Sequence, residues 1–311
     1  MDPRAAVRNG WHYPSGPLRA GAWKVQIAMP GLPLQACSVL LSRGAEHVLV
    51  DTGFCSHDSV LVDGLERAGV KPEQITAVIN THFHLDHIGC NALFAQAQVY
   101  TSRTDYDWAV PIYESVCGGE TRRTVFRTFY PQVTDEEFER MDQARLLQLI
   151  CWLWDPAMLG DMSRYHWIEE QPWPFEGLRV VPTPGHTPGH IALEVDGEDG
   201  PYLIAGDARS FQDDATVGLD MPPHNEALYR QSRQLLDAFR GIIIPGHDEP
   251  FRQDRPAAEQ VSSQRAGDSA DARASGRPVA AAAAPSQPRP AEAAASEGRS
   301  RHAAPRTGGD H

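Results

Sequence analysis

Between residues 38 and 244 the chain alternates short apolar runs with polar turns, and the apolar period shifts between two and about 3.6. Ser38 to Ser42 and Val48 to Asp51 predict two strands joined by the turn Arg43-Gly44-Ala45. Ser59 to Ala68 predicts a helix with Val60, Leu61 and Leu65 on one side, ended by Gly69. Ile75 to Asn80 is a β-branched run that suits a buried strand. Further strands are predicted at Leu178–Val181, Ile191–Val195, Tyr202–Ala205 and Ile242–Ile244. Ala227 to Arg240 predicts a helix turning Leu228, Leu235, Leu236 and Phe239 inward. Strands interleaved with helices imply sheets covered by helices.

From about Thr101 to Phe175 the pattern differs, and this stretch holds five of the seven tryptophans. Thr134 and Glu137 have the capping-box spacing and open a predicted helix running to about Trp154. Its second half is apolar on nearly every side, which requires burial. Packing within the domain is the plain reading; a substrate lid or a homodimer contact are the alternatives. From Pro256 to His311 the chain turns to alanine runs with scattered Pro, Ser and Arg and no aromatic residue. Such a segment cannot bury enough apolar surface to offset its ordering entropy, so a disordered tail follows a domain ending near residue 255.

Charge narrows the partners. The net charge is −13, and from Phe251 onward nine arginines face seven acidic residues, leaving the body near −15. An acidic body disfavours nucleic acid, whose binding rests on Lys and Arg releasing counterions. Five widely spaced cysteines without a C-x-x-C pair suit reduced thiols. With no signal-like start and no run of about 20 apolar residues, no membrane association is expected and a cytoplasmic location is.

The chemistry gathers in the turns. Thr81-His-Phe-His-Leu-Asp-His-Ile-Gly89 leaves the Ile75–Asn80 strand. In extended chain His82 and His84 project the same way, and Asp86 and His87 follow where the chain turns into a helix. Three imidazoles and a carboxylate within six residues exceed what one four-coordinate ion takes from one loop, so two ions sharing ligands is the economical solution. Pro182-Thr-Pro-Gly-His-Thr-Pro-Gly-His190, Gly206-Asp207 and Gly246-His247 each add a polar turn after an apolar strand.

The H-x-H-x-D-H box followed by G-H, G-D and G-H resembles the metallo-β-lactamase superfamily of hydrolases, and Val50-Asp-Thr-Gly53 looks like that family's first motif. The resemblance spans about Leu34 to Pro250 and implies an α/β fold, an αββα sandwich carrying a helical, aromatic-rich insertion at 101–175. It implies two zinc ions per chain, with other divalent metals compatible with the donors. His82, His84 and His186 would hold one, Asp86, His87 and His247 the other, and Asp207 would bridge them. Asp51 and His190 would support the ligands from behind. Two cations about 3.5–4 Å apart activate a shared water and polarise a carbonyl, and Asp86 would pass a proton to the leaving group.

Among members, N-acyl-homoserine lactonases are the nearest in look, which implies a lactone or related cyclic ester or amide as substrate. Many of them carry a tyrosine soon after the bridging aspartate, whereas Asp207-Ala-Arg-Ser210 has none. Tyr106, Tyr113, Ser210 and His224 are the candidates for that place in the substrate pocket. The aromatic stretch suggests a small-molecule substrate with an apolar or aromatic portion. A glyoxalase II-like thioesterase and an iron-dependent persulfide dioxygenase are the alternatives.

Overall fold

The structure, a computed structural model, describes residues 22–33, 35–118, 153–213 and 223–254, with Thr134 and Glu136. The expected tail from Pro256 lies outside these residues. So does the expected helix from Thr134 to Trp154, apart from Thr134, Glu136, Leu153 and Trp154.

Two sheets form the centre. The first has six strands in chain order: β1 (Lys24–Met29), β2 (Ser38–Arg43), β3 (Glu46–Val50), β4 (Ala77–Ile79), β5 (Gln98–Thr101) and β6 (Tyr165–Trp167). β1, β2 and β3 pair antiparallel, and β3 to β6 run parallel. The second sheet comprises β7 (Leu178–Pro182), β8 (Ile191–Gly197), β9 (Gly200–Gly206), β10 (Gly241–Pro245) and β11 (Phe251–Gln253), in the order β11-β10-β9-β8-β7. Within it only β9 and β10 are parallel.

Side-chain alternation explains why these strands read as continuous apolar runs. Val39, Leu41, Val48, Val50 and Ile79 pack with Leu193, Val195, Ile204 and Ile244 in one cluster that draws on both sheets. Their neighbours Leu40, Leu49 and Val78 turn the other way, into a second cluster with helices α1 (Asp58–Arg67) and α3 (Arg103–Cys117). Ala192, Leu203 and Ile243 likewise leave the second sheet to meet Leu236 of helix α4 (Glu226–Asp237). Where both faces are buried, as over Val39–Leu41 and Val48–Val50, period-two alternation leaves no polar position, and the layers are helix, sheet, sheet, helix.

Two helices differ in detail from expectation. In α1 the buried stripe is Leu61, Gly64 and Leu65, while Val60 is exposed; in α4 it is Ser232 and Leu236, while Leu235 is exposed. Each exposed residue sits one position before a stripe residue, about 100° around the helix and outside the covered face. Within 101–175 the described residues are not purely helical. Tyr165–Trp167 completes the first sheet, and Leu153 and Trp154 are buried in its core cluster beside Tyr113.

Cys37, Cys55, Cys90 and Cys117 are not joined in disulfides. No helix among the described residues is long and apolar enough to cross a membrane.

Candidate metal centre

Parallel pairs bring strand ends to a common edge: β3 and β4 in the first sheet, β9 and β10 in the second. The turns leaving those four strands carry Asp51, the histidine box, Asp207 and His247. Beyond β4 the chain bends at Thr81 and His82 and is extended at His84; His82 and His84 both reach the cluster while Phe83 drops fully buried into the core against Tyr106. Helix α2 (Leu85–Ile88) then makes one turn, burying Leu85 and Ile88 and returning Asp86 and His87 to the same point.

Seven side chains converge there in two groups. His82, His84, His186 and Asp207 form one, and Asp86, His87 and His247 the other, with donor atoms in each group within 4.8 Å of one another. Asp207 stands between the groups. Its Oδ2 is 3.3 Å from His186 Nε2 and 3.3 Å from His247 Nε2, and its Oδ1 is 3.5 Å from His87 Nε2. His247 Nε2 is also 3.3 Å from Asp86 Oδ2, and His84 Nδ1 lies 3.0 Å from His186 Nε2.

A cation fits these residues. Ligand atoms about 2.0–2.1 Å from a tetrahedral zinc lie about 3.3–3.4 Å from each other, close to several of these spacings. His82 Nε2, His87 Nε2 and Asp207 Oδ1 are buried without a hydrogen-bond partner. Buried polar atoms are otherwise almost always satisfied, so these three orphans, His82 in one group, His87 in the other and Asp207 between them, mark places for ligands.

The charges agree. Burial holds the pKa of His82 and His186 well below the ordinary value and that of His84 down to about 4, leaving neutral rings with lone pairs to donate. Burial opposes charge on Asp207, but His247, His87 and His186 outweigh it and keep the carboxyl well below its usual range. Burial also opposes charge on His87 and His247. For His87, Asp207, Asp51 and Asp86 override it and raise its pKa well above the ordinary value; for His247, Asp207 and Asp86 raise it to about 9. The carboxylates demand positive charge at this spot.

The supports are specific. Asp51 Oδ2 accepts from His87 Nδ1 at 2.8 Å and from the Thr81 hydroxyl at 2.7 Å, while Oδ1 accepts from the Thr81 N–H at 2.8 Å. That bond turns His87 Nε2 toward the cluster. Asp51 does this from a left-handed backbone, φ 56°, a conformation that non-glycine residues adopt only where their surroundings enforce it. His190 Nε2 accepts from the N–H groups of Asp207 (3.0 Å) and Ala208 (3.2 Å), so its proton resides on Nδ1, which donates to Thr183 Oγ1 at 2.7 Å. Both nitrogens are committed, and burial holds the ring neutral with a pKa of about 3. The geometry makes His190 an anchor for Asp207. His247 Nδ1 donates to the Leu32 carbonyl at 3.1 Å. Gly246 is needed by space: a Cβ there would stand 2.0 Å from Asp207 Oδ1.

The four pocket candidates are placed differently. His224 is at the site: its N–H donates to the His186 carbonyl, and its ring meets Trp108, which in turn lies 6.1 Å from His84. Ser210 uses its carbonyl to hold the His247 N–H at 2.7 Å. Tyr106 packs against Phe83 and Trp167. Tyr113 is buried and its hydroxyl donates to the Phe83 carbonyl, so it braces the histidine segment from the core side.

Sequence reasoning missed Asp105 and the rings of Trp108, Phe211 and Tyr229. Phe211 is 6.0 Å from His247 and Tyr229 is 6.5 Å from His186. Asp105 is fully buried, and burial pushes its pKa up to about 6 despite three hydrogen bonds. Ser102-Arg-Thr-Asp105 has the capping spacing that could have marked it.

A family model described as the metallo-beta-lactamase superfamily matches residues 31–150 and 168–247. The chain is 34% identical over 220 residues to metallo-beta-lactamase domain-containing protein 1 of Xenopus laevis, covering 69% of this chain and 72% of that protein. It spans 60% and 65% of the mouse and rat counterparts. It is 24% identical over 193 residues to an N-acyl homoserine lactonase of Bacillus thuringiensis, covering 60% of this chain and 62% of that one. The dizinc quorum-quenching lactonase AidC, solved with its product, shares the fold at a TM-score of 0.51 and 13% identity over 71% of this chain and 76% of that one.

Proposed function

The chain belongs to the metallo-β-lactamase superfamily of metal-dependent hydrolases, and from that footing we propose that it is a dinuclear zinc hydrolase of a small ester, a lactone or related cyclic ester or amide. The observation that carries this reading is the meeting of two donor groups at Asp207, with three buried donor atoms left over for cations. When bound, such a pair of ions supplies nucleophilic water near neutral pH and polarises the attacked carbonyl.

The protein's own residues set the rest. The neutral His82, His84 and His186 and the ionised Asp207 keep their lone pairs available at the centre. His190 fixes the Asp207 backbone and Asp51 fixes the His87 ring, so the donors are in place before substrate arrives. His82 and His87 are fully enclosed, whereas Asp86 is the most open carboxylate of the cluster, with 18% of its side chain exposed. Asp86 is thus open to substrate, and its carboxylate takes the proton given up by the attacking water and passes it to the departing alkoxide or amine. Trp108, Phe211 and Tyr229 border the cluster and favour a substrate with an apolar portion. The lactone preference is supported by the Bacillus relative named for that activity and by Val50-Asp-Thr-Gly-Phe54.

Metal quantification joined to a hydrolysis screen over lactones, thioesters, aryl esters and cyclic amides tests the proposal. Two zinc ions per chain with lactone turnover is the expected result. Preference for thioesters would move the assignment to a glyoxalase II-like enzyme, and oxygen uptake with one iron would overturn hydrolysis altogether.

A further inference from the structure

One carboxylate near the centre is used by none of the chemistry above. Asp105 stands in the first turn of α3, with its side chain wholly enclosed. It accepts from the Phe83 N–H at 2.7 Å, the Thr187 hydroxyl at 3.0 Å and the Gly189 N–H at 2.7 Å. Phe83 lies between His82 and His84, and Thr187 and Gly189 follow His186. A single side chain thus pins both segments that carry the three histidines of one donor group. The other group is held elsewhere, His87 by Asp51 and His247 by the Leu32 carbonyl.

We propose that Asp105 is a positioning residue for the His82, His84 and His186 group and not for the other, whereas Asp51 reaches both, holding the His87 ring directly and the His82 segment through Thr81. The inference rests on the two-cation reading of the cluster. Asp105 is itself well fixed. Its N–H donates to Ser102 Oγ at 3.3 Å, and Glu169 accepts from Ser102 Oγ and from the N–H groups of Arg103 and Thr104. The loop after His186 seats directly on this helix start: a Cβ on Gly189 would meet Ser102 Oγ at 2.2 Å and Asp105 N at 2.7 Å. The position calls for an acceptor on both oxygens. Oδ2 serves Phe83 and Thr187, and Oδ1 serves Gly189. An amide of the same shape would turn its NH₂ against one of those backbone N–H groups and release one segment.

The test is zinc titration of the full-length protein by calorimetry, with ¹⁵N resonances of the histidine rings recorded at each addition. Wild type is expected to take two ions. In Asp105→Asn the site reported by His87 and His247 should keep its affinity. The site reported by His82, His84 and His186 should weaken by about 10–100-fold, the usual effect of removing a group that orients a ligand. A residue with only a general structural role would weaken both sites alike or neither, and that result overturns the inference while leaving the two-cation reading standing. If Asp105→Asn does not fold, Thr187→Val, which removes one donor only, decides instead. A smaller selective loss at the same three histidines supports the inference, and equal or no loss overturns it. A folded wild type that takes up no zinc overturns the reading beneath it, and the inference with it.

Discussion

Replacing His190 with alanine separates anchoring from metal ligation. The ring is 1% exposed and takes the Asp207 and Ala208 N–H groups on one nitrogen. Alanine leaves two buried donors unsatisfied, at about 1–3 kcal/mol each, or about 2–6 kcal/mol together. For a domain of about 150–250 residues 1 kcal/mol moves Tm by about 2–4 °C, so the metal-free variant should melt about 4–24 °C lower. At saturating zinc it should still bind two ions, because neither ring nitrogen faces the cluster. A second signature is the pH dependence of metal-free stability. In the fold the pKa of His190 is held down to about 3, by burial first and against the pull of Asp207, whereas the unfolded ring titrates near 6.5. Between those values the unfolded chain binds the extra proton, so the His190 contribution is present above pH 6.5 and is lost as the pH falls toward 3. In the variant the slope of stability against pH near pH 5 should fall by about 1.4 kcal/mol per pH unit. Calorimetric melting across pH 4–8, with zinc counted by mass spectrometry, checks both. An unchanged Tm with one zinc lost would refute the anchoring role and make His190 a ligand.

Asp86→Asn should lower kcat by about 10²-fold or more, the scale of a lost general acid; a variant holding both metals at full turnover would show that Asp86 moves no proton. Gly246→Ala places a methyl where the Asp207 carboxylate lies, so it should lose bound zinc while staying folded, read by metal analysis and circular dichroism.

The metal box was legible because its residues are local: four donors within six positions, leaving a strand. Asp207 and His247 were legible because each follows an apolar run after a glycine. Sheets covered by helices were legible in strands interleaved with helices, whereas the two-sheet sandwich came from the family resemblance of the histidine box and its companion turns. Asp105 was hidden because its partners are 22, 82 and 84 positions away and most are backbone groups. β5 and β6 were missed because Gln98–Thr101 and Tyr165–Trp167 are short and part polar, made strands by parallel pairing of β5 on β4 and of β6 on β5. His190 was expected to support the ligands from behind, but its tautomer and its contacts with the Asp207 and Ala208 N–H groups needed coordinates.

The account stands on two cations sharing one carboxylate. A crystal of the zinc-loaded protein, with anomalous diffraction recorded across the zinc edge, locates them directly. Two peaks are predicted, one among His82, His84 and His186 and one among Asp86, His87 and His247, with Asp207 touching both. A single peak, or peaks away from Asp207, would contradict it.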